Sequence, residues 1–275
     1  MREGLYRCFG LVAAAALLAA LPATGQATTI RVGSDVSGAP FEYYAANHKM
    51  DGFDLDVLAA MSAKLGRPIM VFNHQFDDLI AAVRRGDFDF AMSAMSDTRA
   101  REQRVDFVDY FLAGGGIMVP AANPHRIFAI DALCGYSVAV EAGTEYETLL
   151  DAQSRECQKI HLGPIKIVTS ATDDGAFAIF TSGKTDAYVT DYPVGVYRAK
   201  TAGGGTAYVM AGKQFNVVPY GIAVKKQNAA LRAELVSALA AVIADGTYDR
   251  LLRKWNLQLG ALRSAPVNAG TLFQK

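Results

Sequence analysis

Strand and helix patterns alternate along this chain, and that alternation limits the folds open to it. Residues 29–33 alternate apolar and polar side chains as a strand does, and from Leu55 to Leu65 apolar residues recur every three or four positions as in a helix. Gly66 and Pro68 end that helix before a second strand pattern at 69–72. A helix between two strands is typical of a parallel crossover, so the sequence predicts an α/β fold.

The strand and helix patterns occur again in two series, which predicts two units. A helix pattern at 79–83 ends near Gly86 and leads into an apolar strand pattern at 88–92. The triple glycine 114–116 interrupts the series. A second series follows, with strands predicted at 136–140, 165–168, 187–189 and 220–224, and helices predicted from about Glu145, at 177–180, and over 231–242 and 248–255.

The first 27 residues have the features of an export signal. Arg2 and Arg7 precede an apolar run from residue 11 to 21, and small residues permit cleavage after Ala27. Cys8 lies before the run, where it cannot serve as a lipid anchor. No later stretch reaches the roughly 20 apolar residues of a membrane-spanning helix, so we expect a diffusible periplasmic protein.

Charge and cysteine content narrow the partners and the compartment. Lys plus Arg and Asp plus Glu number 27 each, so no overall field draws the protein to nucleic acid or an anionic membrane. The four His lack metal-ligand spacing, and we expect neither metal nor cofactor. In an oxidising compartment Cys134 and Cys157 are predicted to form a disulfide, with two buried thiols as the alternative.

Several motifs, in order and at matching spacing, resemble the extracellular solute-binding proteins, family 3, that serve polar amino-acid ABC importers. The motifs cover essentially the whole chain after the signal: Ala39-Pro40-Phe41-Glu42-Tyr43, Gly52-Phe53-Asp54-Leu55-Asp56, Phe76-Asp77-Asp78-Leu79-Ile80, Gly86-Asp87-Phe88-Asp89, Arg101, Val105-Asp106-Phe107, Gly143-Thr144, Thr185-Asp186-Ala187, Asp191, Tyr220-Gly221-Ile222-Ala223-Val224 and Asp245-Gly246-Thr247-Tyr248.

The resemblance implies a type II periplasmic binding protein fold, with two lobes, two hinge strands and a ligand cleft between the lobes. We expect residues 1–27 to be the signal peptide, 28–116 and 221–275 to form lobe 1, and 119–217 to form lobe 2, with hinges near Ile117 and Pro219. The triple glycine suits a segment that changes its backbone angles on closure. The implied function is capture of a polar amino acid for an inner-membrane permease by a non-catalytic monomer.

The family pattern also implies partners for both charges of an amino acid. Arg101 matches the arginine that grips the α-carboxylate, and Asp191 matches the carboxylate that takes the α-ammonium. From the sequence alone, Arg101 could instead be a solvated helix residue and Asp191 a turn-capping residue. Ser96 and the Ala94 carbonyl match positions that hydrogen-bond the same two groups.

Four further residues are expected at the ligand. Thr144 would open a helix whose N–H groups favour an anion, a role compatible with a simple N-cap. Phe76 matches an aromatic residue that stacks on the ligand side chain, with a core phenylalanine as the alternative. Asp35 matches an acidic position of basic-amino-acid binders, and Glu145 adds a second acid, which favours Arg, Lys or ornithine.

Two other classes of function remain open at this point. Periplasmic cyclohexadienyl dehydratases are similar to this family and would use a cleft carboxylate as a general acid. A loaded binding protein could also signal to a chemoreceptor or a sensor kinase. Because a fold does not determine function, other observations have to decide. Turnover of prephenate or arogenate would indicate the enzyme, and neighbouring genes for a permease and an ATPase would indicate transport.

Overall fold

The computed structural model of this 275-residue chain describes Met1 and residues 28–273. The predicted signal segment, apart from Met1, and its cleavage site after Ala27 lie outside the described residues. Within the described residues, no helix is both long and apolar enough to cross a bilayer.

Ten strands and nine α-helices are found in the described part of the chain. The strands are β1 Ile30–Ser34, β2 Tyr43–Tyr44, β3 Met50–Asp51, β4 Ile69–Asn73, β5 Phe90–Ala91, β6 Asp106–Pro120, β7 Ser137–Glu141, β8 Lys166–Ser170, β9 Ala187–Asp191 and β10 Tyr208–Val224. The helices are α1 Phe53–Leu65, α2 Leu79–Arg85, α3 Arg99–Glu102, α4 Glu145–Lys159, α5 Asp173–Thr181, α6 Tyr192–Thr201, α7 Ala229–Ala244, α8 Thr247–Trp255 and α9 Gly270–Phe273.

Most predicted elements are present, with changed ends. α1 ends at Gly66 in the left-handed conformation that glycine adopts without strain, and α4 begins at the predicted Glu145. The strand predicted at 88–92 is only β5, and the one predicted at 220–224 is the end of the 17-residue strand β10. The sequence patterns did not predict β2, β3, β6, α3, α6, α9 or the chain after Trp255. Short elements and irregular chain have no apolar periodicity. The buried residues of α6 include Gly195 and Arg198, and the triple glycine interrupts the pattern of β6.

A mixed eight-stranded sheet runs through the protein in the order β4-β1-β5-β10-β6-β9-β7-β8. β1 is parallel to β4 and β5, and β7 is parallel to β8 and β9. α1 lies on the connection from β1 to β4, and α4 on the connection from β7 to β8. These crossovers confirm the α/β fold.

The long antiparallel strands β6 and β10 pair from Asp106 opposite Val224 to Pro120 opposite Tyr208, and so belong to both halves of the sheet. Each half has its own core. In the first, apolar side chains of β1, α1, α7 and α8 pack together; in the second, those of β7 and α4 do. The C-terminal helices therefore return to the first half, while the lobe boundaries given above stay a prediction.

The triple glycine has a different role from the predicted interruption. Residues Gly114, Gly115 and Gly116 lie inside the continuous strand β6, and none has a positive φ. A Cβ on Gly114 would lie 2.2 Å from the carbonyl oxygen of Phe215 in β10, and one on Gly116 would lie 2.4 Å from Met210 Cε. The glycines are needed because neighbouring chain segments approach the strand too closely for a side chain.

The predicted disulfide is confirmed. Cys134, just before β7, is bonded to Cys157 in the last turn of α4, with a Cα–Cα distance of 5.5 Å and a separation of 23 residues. Cys157 is fully buried in the core of the second half. The bond ties the end of α4 to the chain that leads into β7.

Replacing both cysteines by alanine is expected to lower the free energy of unfolding by about 3 kcal/mol, because the unfolded chain gains the entropy of an open loop of this length. Urea denaturation of the mature protein measures the change. Reductant should weaken the wild type by a similar amount and leave the double variant unchanged. Equal stability of oxidised and reduced wild type would contradict the prediction.

Candidate functional site

A polar cleft lies between the two halves, where several strands of both halves reach their carboxyl ends. In parallel α/β sheets this is the edge at which ligands bind. All eight residues expected at the ligand line it: Asp35, Phe76, Ala94, Ser96, Arg101, Thr144, Glu145 and Asp191. The first five come from the first half and the last three from the second, so the cleft has two complementary walls.

Arg101 is held on the first wall by contacts at both ends of its guanidinium. Its Nη1 donates to the carbonyl oxygen of Ser96 at 2.9 Å, and its Nη2 donates across the cleft to the carbonyl oxygen of Gly143 at 3.1 Å. The guanidinium lies 5.3 Å from the centre of the Phe76 ring. Phe76 thus stacks beneath Arg101, a contact that the sequence did not predict. Burial lowers the pKa of Arg101, and the Glu145 carboxylate opposes that shift.

Asp191 ends strand β9 on the second wall. Its Oδ1 accepts hydrogen bonds from the hydroxyls of Tyr146, at 2.6 Å, and Tyr220, at 2.5 Å. Although Asp191 stands at the N-cap of α6, its side chain makes no capping bond, so the turn-capping alternative is not realised. Burial raises the pKa of Asp191 to about 7, and the two tyrosine donors limit the rise.

Thr144 and Glu145 open helix α4 at the cleft. The Thr144 Oγ1 accepts from the backbone N–H of Glu147 at 3.3 Å, which confirms the N-cap, and donates to the carbonyl of Glu141 at 2.8 Å. Glu145 accepts from the side-chain amide of Asn216 at 2.7 Å, and burial raises its pKa. The Glu145 side chain is therefore held by Asn216 of β10, in addition to its place at the start of α4.

Asp35 directly follows β1 and belongs to the first wall of the cleft. Its carboxylate accepts from Ser37 Oγ at 2.5 Å and from the backbone N–H of Phe76 at 3.2 Å. Burial raises its pKa to about 6, and the hydrogen bond from Ser37 opposes the shift.

A buried acid pair beneath the cleft was missed by sequence reasoning. Glu42 lines the cleft and accepts from Ser93 Oγ at 3.2 Å, and burial raises its pKa well above the usual range. Its neighbour Asp54 accepts from Tyr110 Oη at 2.7 Å and from the backbone N–H of Ala94 at 3.1 Å. Ala94 has a positive φ of 42°, which Asp54 thereby holds in place.

A buried ion pair of the second half reaches the first half at Ser37. Arg198 pairs with Asp173 and lies 4.6 Å from the Phe177 ring centre. The Arg198 Nη2 also donates to the carbonyl of Ser37 at 3.0 Å, and the Asp173 N–H donates to Ser37 Oγ at 3.1 Å. Together with the Arg101 to Gly143 bond, these contacts join the two walls.

The cleft has a large excess of acidic groups. Its lining contains six carboxyl groups, of Asp35, Glu42, Glu141, Glu145, Asp173 and Asp191, and one guanidinium, that of Arg101. Asp173 is neutralised by Arg198. Among the residues that the structure describes, no group of three His, Cys, Asp or Glu side chains is placed to hold a metal ion.

Two α/β halves, joined by two shared strands and facing a common polar cleft, define a two-lobed binding protein. The chain matches the bacterial extracellular solute-binding proteins, family 3, over residues 30–258. It belongs to that family.

Curated relatives and solved structures agree with this assignment. The chain is 29% identical to the ABC transporter arginine-binding protein 1 of Escherichia coli over 89% of this chain and 98% of the relative. It is 30% identical to the histidine-binding periplasmic protein of Escherichia coli over 88% and 91%. A solved ancestral arginine-binding protein bound to arginine superposes with a TM-score of 0.78 at 32% identity, covering 84% of this chain and 99% of that one.

One solved structure bears on the enzyme alternative. An ancestral amino acid-binding protein, described as a precursor of cyclohexadienyl dehydratase, superposes with a TM-score of 0.71 at 34% identity, covering 82% of this chain and 95% of that one. That protein is itself named for amino-acid binding. This chain is therefore similar both to arginine-binding proteins and to an amino acid-binding precursor of an enzyme.

Proposed function

We infer that this protein is the periplasmic solute-binding component of an ABC importer, and that its ligand is a cationic amino acid of the arginine and lysine type. Arg101 on one wall and Asp191 on the other carry the inference, because a buried amino acid needs a fixed partner for each of its backbone charges. The names of the relatives support the same ligand class.

The remaining acids of the cleft support a cationic side chain. Once Arg101 takes the carboxylate and Asp191 the ammonium, the acids Asp35, Glu42, Glu141 and Glu145 are left over. Burial raises the pKa of each of them, so a nearby ligand cation would stabilise their charged forms. A neutral side chain would offer these acids no cation, and burial would continue to disfavour their charged forms.

Closure links capture to delivery in this proposal. The ligand binds to one wall of an open cleft, and the second wall then closes over it. The hydrogen bonds from Arg101 to Gly143 and from Arg198 to Ser37 join the two walls, and in this proposal they form on closure. The closed monomer then docks on the inner-membrane permease. The proposal includes binding without catalysis. The cleft acids would balance the positive charge of the ligand, and the ligand would be released unchanged.

Thermal unfolding of the ligand-stripped mature protein tests the proposal against all proteinogenic amino acids, ornithine and prephenate. A ligand at 100 times its dissociation constant adds about 2.7 kcal/mol, which raises the unfolding temperature by about 5–10 °C for a chain of this size. Arginine, lysine, ornithine or histidine should give the largest rise. A larger rise with glutamine or glutamate would contradict the cationic ligand, and consumption of prephenate would contradict the absence of catalysis.

A further inference from the structure

The chain continues beyond the family match at residue 258 and returns to the strand that carries both halves. Residues 266–271, called here the C-terminal strap, run beside β6. The backbone N–H of Asp109 donates to the carbonyl of Pro266 at 2.9 Å, and that of Asn268 donates to the carbonyl of Phe107 at 3.1 Å. The strap is thus fixed to the first half by main-chain hydrogen bonds.

Two buried acids receive the next N–H groups of the strap. The Ala269 N–H donates to Asp109 Oδ2 at 3.0 Å, and the Gly270 N–H donates to Asp97 Oδ2 at 2.8 Å. Both carboxyl groups are fully buried, and burial raises the pKa of each. Without these donors, the two acids would lie buried side by side with no backbone N–H to stabilise their charge.

The strap also approaches Asp97 more closely than a side chain would permit. A Cβ on Gly270 would lie 2.0 Å from the carbonyl oxygen of Asp97. Gly270 is itself buried. Glycine at this position is therefore required for contact between the strap and the backbone of Asp97.

A third acid, Glu102, holds the end of the strap. Its Oε1 accepts from the backbone N–H of Thr271 at 3.0 Å, and its Oε2 accepts from the Thr271 hydroxyl. Glu102 is the last residue of α3, a helix of only four residues with a single side-chain cap from Thr98. So short a helix is not stable by itself, because its few hydrogen bonds do not repay the cost of starting it.

The residues that face the strap and those that face the cleft are neighbours in the chain. Ser96 and Arg101 line the cleft, whereas the next residue in each case, Asp97 or Glu102, binds the strap. The strap therefore binds segment 96–102 at Asp97 and Glu102, each next in the chain to a residue that lines the cleft.

We propose that the C-terminal strap is a positioning element for Arg101: by holding Asp97 and Glu102, it fixes the guanidinium in the orientation that grips the ligand α-carboxylate. The proposal rests on the function inferred above. A guanidinium fork binds a carboxylate well only at a defined distance and angle, so small displacements of α3 weaken that contact selectively.

The test compares L-arginine with L-argininamide, in which an uncharged amide replaces the α-carboxylate. The affinity for L-arginine divided by the affinity for L-argininamide, both measured by titration calorimetry, reports the contribution of the carboxylate contact. Gly270→Ala, which displaces the strap from Asp97, should lower that ratio by about 10-fold. Thr271→Val, which removes only the hydroxyl bond to Glu102, should lower it by a smaller factor without risk to folding.

Leu272→Ala is the matched control, because this neighbouring side chain is 81% exposed. It should leave the ratio unchanged. Equal losses for both ligands, or an unchanged ratio in Gly270→Ala and Thr271→Val proteins that remain folded, would overturn the proposal. If the wild type binds neither compound nor any other amino acid, the inferred function fails instead, so the two failures are distinguishable.

Discussion

Replacing Arg101 by alanine is expected to weaken binding of every amino acid by at least about 30-fold, because loss of one partner of a buried charge pair costs about 2–5 kcal/mol. The two terminal nitrogens of the guanidinium donate to the carbonyl oxygens of Ser96 on the first wall and Gly143 on the second, which fixes the group in the cleft. Calorimetric titration with arginine and lysine measures the loss.

Two further variants sharpen this result. Arg101→Lys keeps the charge and loses the two-pronged geometry, so we expect an affinity between those of the wild type and the alanine variant. Arg104→Ala, an exposed residue in the same segment, should bind as the wild type does. Wild-type affinity in the Arg101→Ala protein would remove this residue from the site and the main support of the proposed function.

Asp191 is expected to make ligand affinity depend on pH near neutrality. Its pKa is raised to about 7 by burial, and only the carboxylate form attracts the ligand ammonium. Below pH 7 a proton has to leave Asp191 before the ligand binds, so affinity should fall towards about tenfold per pH unit. Above pH 8 the group is ionised and this dependence should disappear. Arginine itself does not change charge between pH 5.5 and 8.

Asp191→Asn tests the assignment directly. At pH 8 the variant should bind arginine at least about 30-fold more weakly, and its affinity should lose the dependence centred near pH 7. Asp35, with a pKa of about 6, and the acids Glu141 and Glu145, whose pKa values are raised by burial, add their own pH dependence to that of Asp191. Calorimetry in two buffers of different ionisation enthalpy counts the protons released on binding.

The control for this variant is Asp131→Asn, the same change at an exposed acid. It should leave both the affinity and the proton release as they are in the wild type. Proton release by Asp191→Asn equal to that of the wild type near pH 7 would assign the titration to another cleft acid. Unchanged affinity at pH 8 would contradict its role at the ammonium.

Local patterns in the chain were sufficient to predict the elements with strong periodicity. α1 was recognised because its apolar residues recur at helical spacing and Gly66 ends it. The start of α4 was recognised because Thr144 is placed to open it. The resemblance marked seven candidate residues, and Glu145 was added as a departure from the family pattern; the structure brings all eight to one cleft.

The triple glycine shows the limit of such reasoning. In sequence it is typical of a break, and in the structure it lies within β6, against Phe215 and Met210 of β10. Nothing near it in the chain indicates that contact, because the partner strand is about a hundred residues away. Close packing of distant segments gives the glycines their role.

The sequence by itself determined the α/β fold class, the pairing of Cys134 with Cys157 and the residue types on the cleft walls. Only the tertiary structure decided which groups contact the cleft residues and their neighbours. These groups are the tyrosines that donate to Asp191, the acid Asp54 next to Glu42, and the strap that binds Asp97 from 173 residues along the chain. The physical reason is that periodicity and capping are local properties of the chain. Burial, pKa and hydrogen-bond partners depend instead on which distant segments the folded chain brings together.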